Sequence, residues 1–118
     1  MKTILLITIL LCSINVFGQD TLKTKYWDNG KKKSEMPFNN NLKEGTFKTW
    51  YESGIPESES EYRNNMPNGK SISWYENGKI KVKGERKNDK KFGDWTWYYE
   101  SGNKKQDGYS GEADPLFR

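Results

Sequence analysis

Beyond residue 20 the chain is written in short runs where apolar and polar side chains alternate, with glycine-bearing breaks between them. A period of two puts successive side chains on opposite faces of a strand. The runs predict strands near 22–27 and 31–38, 46–52 and 55–63, 70–76 and 79–86, and 94–100 and 103–109. Asn-Gly or Ser-Gly sits inside each pair, the sequence of a two-residue hairpin turn whose central residues both take positive φ. Between pairs the connection is longer, as in Asn64-Asn65-Met66-Pro67-Asn68-Gly69. There Pro67 suits the second position of a turn and Gly69 the fourth. The predicted fold is all-β: hairpins joined into an antiparallel meander, with no helix.

The breaks recur in phase. Trp27-Asp28-Asn29-Gly30 returns as Tyr51-Glu52-Ser53-Gly54, Tyr75-Glu76-Asn77-Gly78 and Tyr99-Glu100-Ser101-Gly102, 24 residues apart each time. An aromatic precedes every copy: Tyr26, Trp50, Trp74 and Tyr98. A second glycine column falls at Gly45, Gly69 and Gly93. A fixed period in this range, marked by glycine and aromatic columns, is the signature of a repeat architecture.

With two-residue turns the register is fixed, and it sorts side chains onto two faces. One face carries Tyr51, Phe47 and Pro56, then Tyr75, Ile80 and Val82, then Tyr99, Trp97 and Trp95. The other sets Tyr26 against Lys33, Trp50 against Glu57, Trp74 against Lys81 and Tyr98 against Lys105. Further out, Lys48 meets Glu59 and Lys70 meets Glu85. Aromatic–cation and opposite-charge pairs of this kind each contribute about 0.2–1 kcal/mol.

Such pairs matter because the composition leaves little else. Only 32% of the 118 residues are hydrophobic, too few for a thick core, while Trp and Tyr, scarce in disordered chains, number 5 and 7. The charge of +4 is mildly basic. There is no histidine, and Cys12 is the only cysteine. Most metal sites, disulfide scaffolds and Cys or His nucleophile chemistry are thereby excluded, and an ordinary enzyme is not expected.

Residues 1–18 have the layout of a secretory signal peptide: Met1-Lys2, an apolar stretch from Thr3 to Phe17, then Gly18 before polar Gln19-Asp20. Cleavage is expected after Gly18. The apolar run is shorter than the roughly 17–25 residues a membrane anchor needs. Ile9-Leu10-Leu11 lack the small residue expected ahead of a lipidated cysteine at Cys12. The chain therefore divides into a signal segment 1–18, a repeat domain 19–110 and a tail 111–118. The expected location is periplasmic or extracellular, without a disulfide. Leu116 and Phe117 of the tail are placed to cover the Trp95–Trp97 face.

Aromatic-aromatic-acidic-Asn/Ser-Gly-Lys, followed by Gly-x-aromatic, resembles the variant MORN repeat. Trp74-Tyr75-Glu76-Asn77-Gly78-Lys79 and Gly93-Asp94-Trp95-Thr96-Trp97-Tyr98-Tyr99-Glu100-Ser101-Gly102 are the best copies. The resemblance covers about residues 22–109. It implies an elongated single-layer sheet of about four stacked hairpins, a binding or scaffolding surface without enzymatic activity. Bacterial proteins with this repeat are often labelled as antitoxins of toxin–antitoxin systems.

Two surfaces are candidates for contact. Trp95 and Trp97, beside Tyr99, form the largest apolar patch. Lys79, Lys81, Lys83, Arg86 and Lys87 lie in a basic stretch, 79–91, of net charge +5. Export removes nucleic acid as its partner, leaving an anionic surface or an acidic glycan. Glu57, Glu59 and Glu61 alternate along one strand and are expected on one face, solvated and partly paired with lysines. No catalytic residue, metal or cofactor is expected. The reading is an exported, non-catalytic module for a protein or cell-envelope partner. The alternatives are an antitoxin-like protein and a glycan-binding or glycan-active protein using Glu57 or Glu59. Exposed edge strands make self-association possible.

Overall fold

The computed structural model describes residues 20–109. The predicted signal segment and the tail, with its proposed cover of the Trp95–Trp97 face, lie outside these residues. The described chain is one antiparallel sheet: β1 (Asp20–Tyr26), β2 (Lys32–Asn39), β3 (Leu42–Lys43), β4 (Gly45–Trp50), β5 (Pro56–Arg63), β6 (Met66–Trp74), β7 (Ile80–Lys87), β8 (Lys90–Tyr98) and β9 (Lys104–Tyr109). Neighbours in sequence are neighbours in space, in the order β1-β2-β4-β5-β6-β7-β8-β9, and the sheet does not close. The short β3 continues the line of β4 and pairs with β2. None of the described residues is helical, and no helix among them is long and apolar enough to cross a membrane.

The two kinds of turn are exchanged relative to the sequence-based expectation. At Asn40-Asn41, Asn64-Asn65 and Asn88-Asp89 both residues have positive φ. The flanking pairs Asn39↔Leu42, Arg63↔Met66 and Lys87↔Lys90 close around them as two-residue loops. These are the turns that need two left-handed residues, and Asn and Asp tolerate that conformation. Pro67 is therefore a strand residue opposite Tyr62, not a turn residue. At the aromatic-Gly motif only the glycine has positive φ, 92° at Gly54. Gly54 N donates to Tyr51 O and Tyr51 N to Ile55 O, both at 2.9 Å, which makes a three-residue loop. The preceding Asn works differently: Asn29 Oδ1 and Asn77 Oδ1 accept from the backbone N–H of Lys31 and Lys79.

A three-residue loop offsets the register by one, and a bulge puts it back. Trp50 pairs with Pro56, but Thr49 pairs with Ser58, so Glu57 is the extra residue. The same irregularity follows Tyr26, Trp74 and Tyr98 in their pairs. Away from the turns the predicted register holds: Lys48 opposes Glu59 and Lys70 opposes Glu85. Next to the turns it does not. Trp50, Trp74, Tyr26 and Tyr98 oppose Pro56, Ile80, Lys32 and Lys104. The ion pairs expected at Lys48–Glu59 and Lys70–Glu85 do not close either. The ion pairs among the described residues include Lys32–Glu35, Arg86–Asp89 and Lys104–Asp107, each within one strand or turn.

The register gives two faces of different chemistry. On the back face Thr24, Glu35, Lys48, Glu59, Ile72, Lys83, Thr96 and Asp107 form one row across eight strands. The front row is Lys25, Ser34, Thr49, Ser58, Ser73, Val82, Trp97 and Gln106. Among the described residues only Trp95, 3% exposed, is a buried hydrophobic side chain. It is buried against the sheet's own backbone. A Cβ on Gly84 would lie 2.3 Å from Trp95 Cδ2, and one on Gly108 would lie 2.7 Å from Trp97 Cζ3. Each indole thus packs on a bare glycine of the neighbouring strand, which is how one layer hides a large ring.

The contact at Gly84 makes a prediction. Gly84→Ala pushes a methyl group into the Trp95 ring and lowers stability by about 1–3 kcal/mol. Gly78→Ala, with nothing within 4 Å but φ of 84°, costs about 1 kcal/mol from backbone strain alone. Urea unfolding of both variants checks the order; a silent Gly84→Ala would mean that the indole does not rest on this glycine.

Candidate functional site: the front face

Each repeat is tied to the next by the second aromatic column. Trp27 Nε1 donates to Trp50 O at 3.0 Å, Tyr51 Oη to Trp74 O at 2.7 Å and Tyr75 Oη to Tyr98 O at 2.8 Å. In every case the acceptor is the first aromatic of the following repeat, whose carbonyl leaves the ladder where the loop begins. The loops add a second set of ties. Asn29 Nδ2 and Lys31 Nζ donate to Glu52 O and Ser53 O, and Asn77 Nδ2 and Lys79 Nζ to Glu100 O and Ser101 O. These link the first repeat to the second and the third to the fourth. Between the second and third, where Ser53 and Ile55 replace Asn and Lys, the Tyr51 hydroxyl is the side-chain tie at the loops.

The bulge redirects the cations. Lys33, Lys81 and Lys105 lie over Trp27, Tyr75 and Tyr99, at 4.5, 5.6 and 5.7 Å from the ring centres. They serve the second aromatic column, not the first as the two-residue register had it. The first column takes other lysines: Lys32 lies 5.8 Å from Trp50 and Lys83 5.8 Å from Tyr98. Contacts of this kind contribute about 0.5–1 kcal/mol at exposed sites.

The front face has a floor of hydroxyls. Thr49 Oγ1 and Ser58 Oγ are 2.7 Å apart, and Ser60 Oγ and Ser71 Oγ 3.1 Å. Phe47 and Tyr62 stand edge to face at one side, 6.1 Å between centres. Trp95 and Trp97 stand at the other, 6.3 Å apart. A hollow of about 340 Å³ opens beside the loops, lined by Thr49, Tyr51, Glu57, Ser58, Ser73, Trp74 and Lys81. Glu57 and Lys81, both bulge residues, bring opposite charges to it. Burial in the first place, and then the Glu57 carboxylate, push the Tyr51 phenol above its ordinary value of 10.0. A larger hollow of about 610 Å³ lies where β2 and β4 part after two pairs, beside Pro37 and Gly45.

The structure distributes the predicted contact residues as follows. Trp95 and Trp97 are together on the front face, but Trp95 is packed, its Nε1 donating to Glu85 O at 3.0 Å and Lys91 and Arg86 lying 4.9 and 5.6 Å from its ring. Tyr99, at the start of the last loop, is 52% exposed. The basic residues do not share one surface. Lys79 is tied into the loops, Lys81 lies at the front hollow, and Lys83 is in the back row. Arg86 is held by Trp95 and the Asp89 carbonyl, and Lys87 lies over Phe92. The three carboxylates expected side by side are also divided. Glu57 alone is separated, at the front hollow; Glu59 and Glu61 share the back face, where Glu61 Oε2 accepts from Lys70 N at 2.8 Å. No group of acidic residues among those described could hold a metal ion. The hydroxyl floor was missed from sequence, although its signal was there: Ser58 and Ser60 alternate with glutamates on one strand, and Ser71 and Ser73 flank Ile72 on the strand paired with it.

The repeat built here, one hairpin closed by a glycine loop and stapled to the next by its second aromatic, is matched four times by the MORN repeat variant, over residues 19–40, 43–64, 67–88 and 93–109. The chain belongs to this family. The first three matches each end on the first residue of an Asn turn, so one MORN repeat corresponds to one hairpin. No curated protein and no solved structure matches the chain. MORN repeats commonly mediate binding. The match does not extend to the toxin–antitoxin association that the resemblance implied.

The staples yield a prediction with a definite pH sign. Tyr51→Phe removes one hydroxyl donor and lowers stability by about 1 kcal/mol at neutral pH. A phenol whose folded pKa is raised adds stability at low pH and loses it as pH rises through that value. The gap between wild type and Tyr51→Phe therefore closes as pH climbs past 10. Urea titrations at neutral and alkaline pH measure it; a gap that widens there would show the phenolate to be the bonded form.

Proposed function

We propose that this MORN-repeat chain acts outside the cytoplasm as a non-catalytic binding module that takes a protein or cell-envelope component on its front face. The observation that carries this reading is the hydroxyl floor between aromatic walls, Thr49, Ser58, Ser60 and Ser71 between Phe47–Tyr62 and Trp95–Trp97. A lone sheet layer leaves this surface uncovered among the described residues, with polar groups to fix a ligand and rings to pack on it. On the back face the rings of Trp50 and Tyr98 lie against lysines, Lys32 and Lys83. Export is supported by the charged, apolar and small-residue layout of residues 1–18.

A second reading has its own support. Sugar rings stack on aromatic faces while their hydroxyls exchange hydrogen bonds with serine and threonine, and the hollow beside Tyr51 offers both. An envelope glycan is then the ligand, bound without being cleaved.

Capture from an envelope fraction of the source cell tests the site. The full chain is compared with Ser73→Arg, which fills the front floor, and Lys48→Glu, which alters the back row. A defined component retained by wild type and Lys48→Glu but lost with Ser73→Arg is the expected result. A component lost equally with both variants, while both keep their β-sheet circular dichroism, would remove the front face from the account. Release by soluble envelope oligosaccharides assigns the ligand to the glycan reading; no release assigns it to protein.

A further inference from the structure

The two ends of the sheet carry complementary halves of the junction that joins repeats inside it. β1 pairs with β2 and β9 with β8, so each leaves one edge without a partner strand among the described residues. Tyr99 occupies the column of Tyr51 and Tyr75, whose hydroxyls bond the first aromatic of the next repeat, and no repeat follows it among the described residues. Tyr26 occupies the column of Trp50, Trp74 and Tyr98, whose carbonyls accept those bonds, and no repeat precedes it among them. Both end aromatics are open, Tyr99 at 52% and Tyr26 at 60%.

We infer that the partner of these edges is a second copy of this chain, added head to tail, with β9 of one copy pairing antiparallel with β1 of the next. The junction inside the chain that it copies is the one between the second and third repeats. The loops alternate Asn29, Ser53, Asn77, Ser101, so a fourth repeat followed by a first repeat presents Ser and then Asn, the order found at 53 and 77. That internal junction has the tyrosine staple and the strand ladder, without the Asn and Lys ties of the other two. Its pairs Ser58↔Ser73, Glu59↔Ile72 and Ser60↔Ser71 translate, by 48 residues on each side, to Gln106 with Lys25, Asp107 with Thr24 and Gly108 with Lys23 of the next copy.

These pairs fit. No like charges oppose one another, and each pair stays on one face. The front row runs on from Trp97 and Gln106 to Lys25 and Ser34, and the back row from Thr96 and Asp107 to Thr24 and Glu35. Tyr99 gains the Tyr26 carbonyl of the neighbouring copy. Pairing β1 with β1 sets acceptor column against acceptor column, and β9 with β9 donor against donor, so neither arrangement satisfies the ends. The contact is heterologous, so growth is open-ended unless the twist closes a ring. This inference stands independently of the ligand on the front face.

Thiol crosslinking of the full chain, in a Cys12→Ser background, tests it. Thr24→Cys and Asp107→Cys place thiols on the proposed pair. Within one sheet they are seven strand spacings apart, about 34 Å, so a short bis-thiol reagent cannot join them inside one copy. The double variant is expected to give a ladder of linked oligomers, a mixture of the two single variants only dimers, and either single variant alone no product. Tyr99→Phe is expected to raise the concentration of half-association by about 2- to 10-fold in sedimentation experiments. Tyr51→Phe, which breaks an internal staple, lowers stability and leaves that concentration unchanged. A chain that sediments as a monomer at every accessible concentration overturns the inference, as do links formed by a single variant alone or an associated double variant that gives none.

Discussion

The bond on which this architecture depends is a side-chain donor of one repeat reaching a backbone carbonyl of the next, about one repeat away: Trp27 to Trp50, Tyr51 to Trp74, Tyr75 to Tyr98. A sheet of one layer has no second layer against which to bury apolar surface, and only Trp95 among the described hydrophobic residues is buried. Stability must then come from contacts within the layer. The strand ladder supplies most of the hydrogen bonds, but a ladder alone does not fix how one hairpin leans on another. The staples do. Each satisfies a carbonyl exposed where the loop leaves the sheet, and each lays an aromatic ring across the junction, so the same side chain provides polar satisfaction and packing.

That constraint explains why the loop needs three residues and a bulge. The loop turns the second aromatic out of the ladder and toward the neighbouring repeat, with one glycine in the left-handed region to close it. The bulge at Glu57 and its counterparts restores the register that the odd loop length would break. It also sets a charged side chain beside the ring, lysine in three repeats and Glu57 in the second. The opposite turns need no such device, and Asn40-Asn41, Asn64-Asn65 and Asn88-Asp89 close them with two residues.

The period, the hairpins, the meander and the pairs Lys48↔Glu59 and Lys70↔Glu85 were all legible in the sequence, because an exact repeat of 24 residues and two-residue alternation leave little freedom. The turn types were not. Asn-Gly is a strong two-residue signal on its own, and only the backbone shows that Asn29 and Asn77 use their side chains to cap a longer loop while Asn64-Asn65 takes the left-handed pair. An unnoticed bulge then moved Lys33, Lys81 and Lys105 to the neighbouring ring and separated Glu57 from Glu59. Trp95 reads as surface in a chain this polar; Gly84, on the neighbouring strand, is what lets it be packed. The basic stretch looked continuous because sequence proximity hides the alternation that sends Lys81 and Lys83 to different faces.

A module built this way presents a patterned surface on a single layer, and its coupling between repeats is the property to measure. Residue-resolved amide hydrogen exchange of wild type and Tyr75→Phe does so most directly. If the staples couple the repeats, loss of the Tyr75 hydroxyl accelerates exchange through β8 and β9 together while β1 to β5 keep their protection. Acceleration confined to the amides beside Tyr75, or none at all, would show that the strand ladder alone carries the sheet.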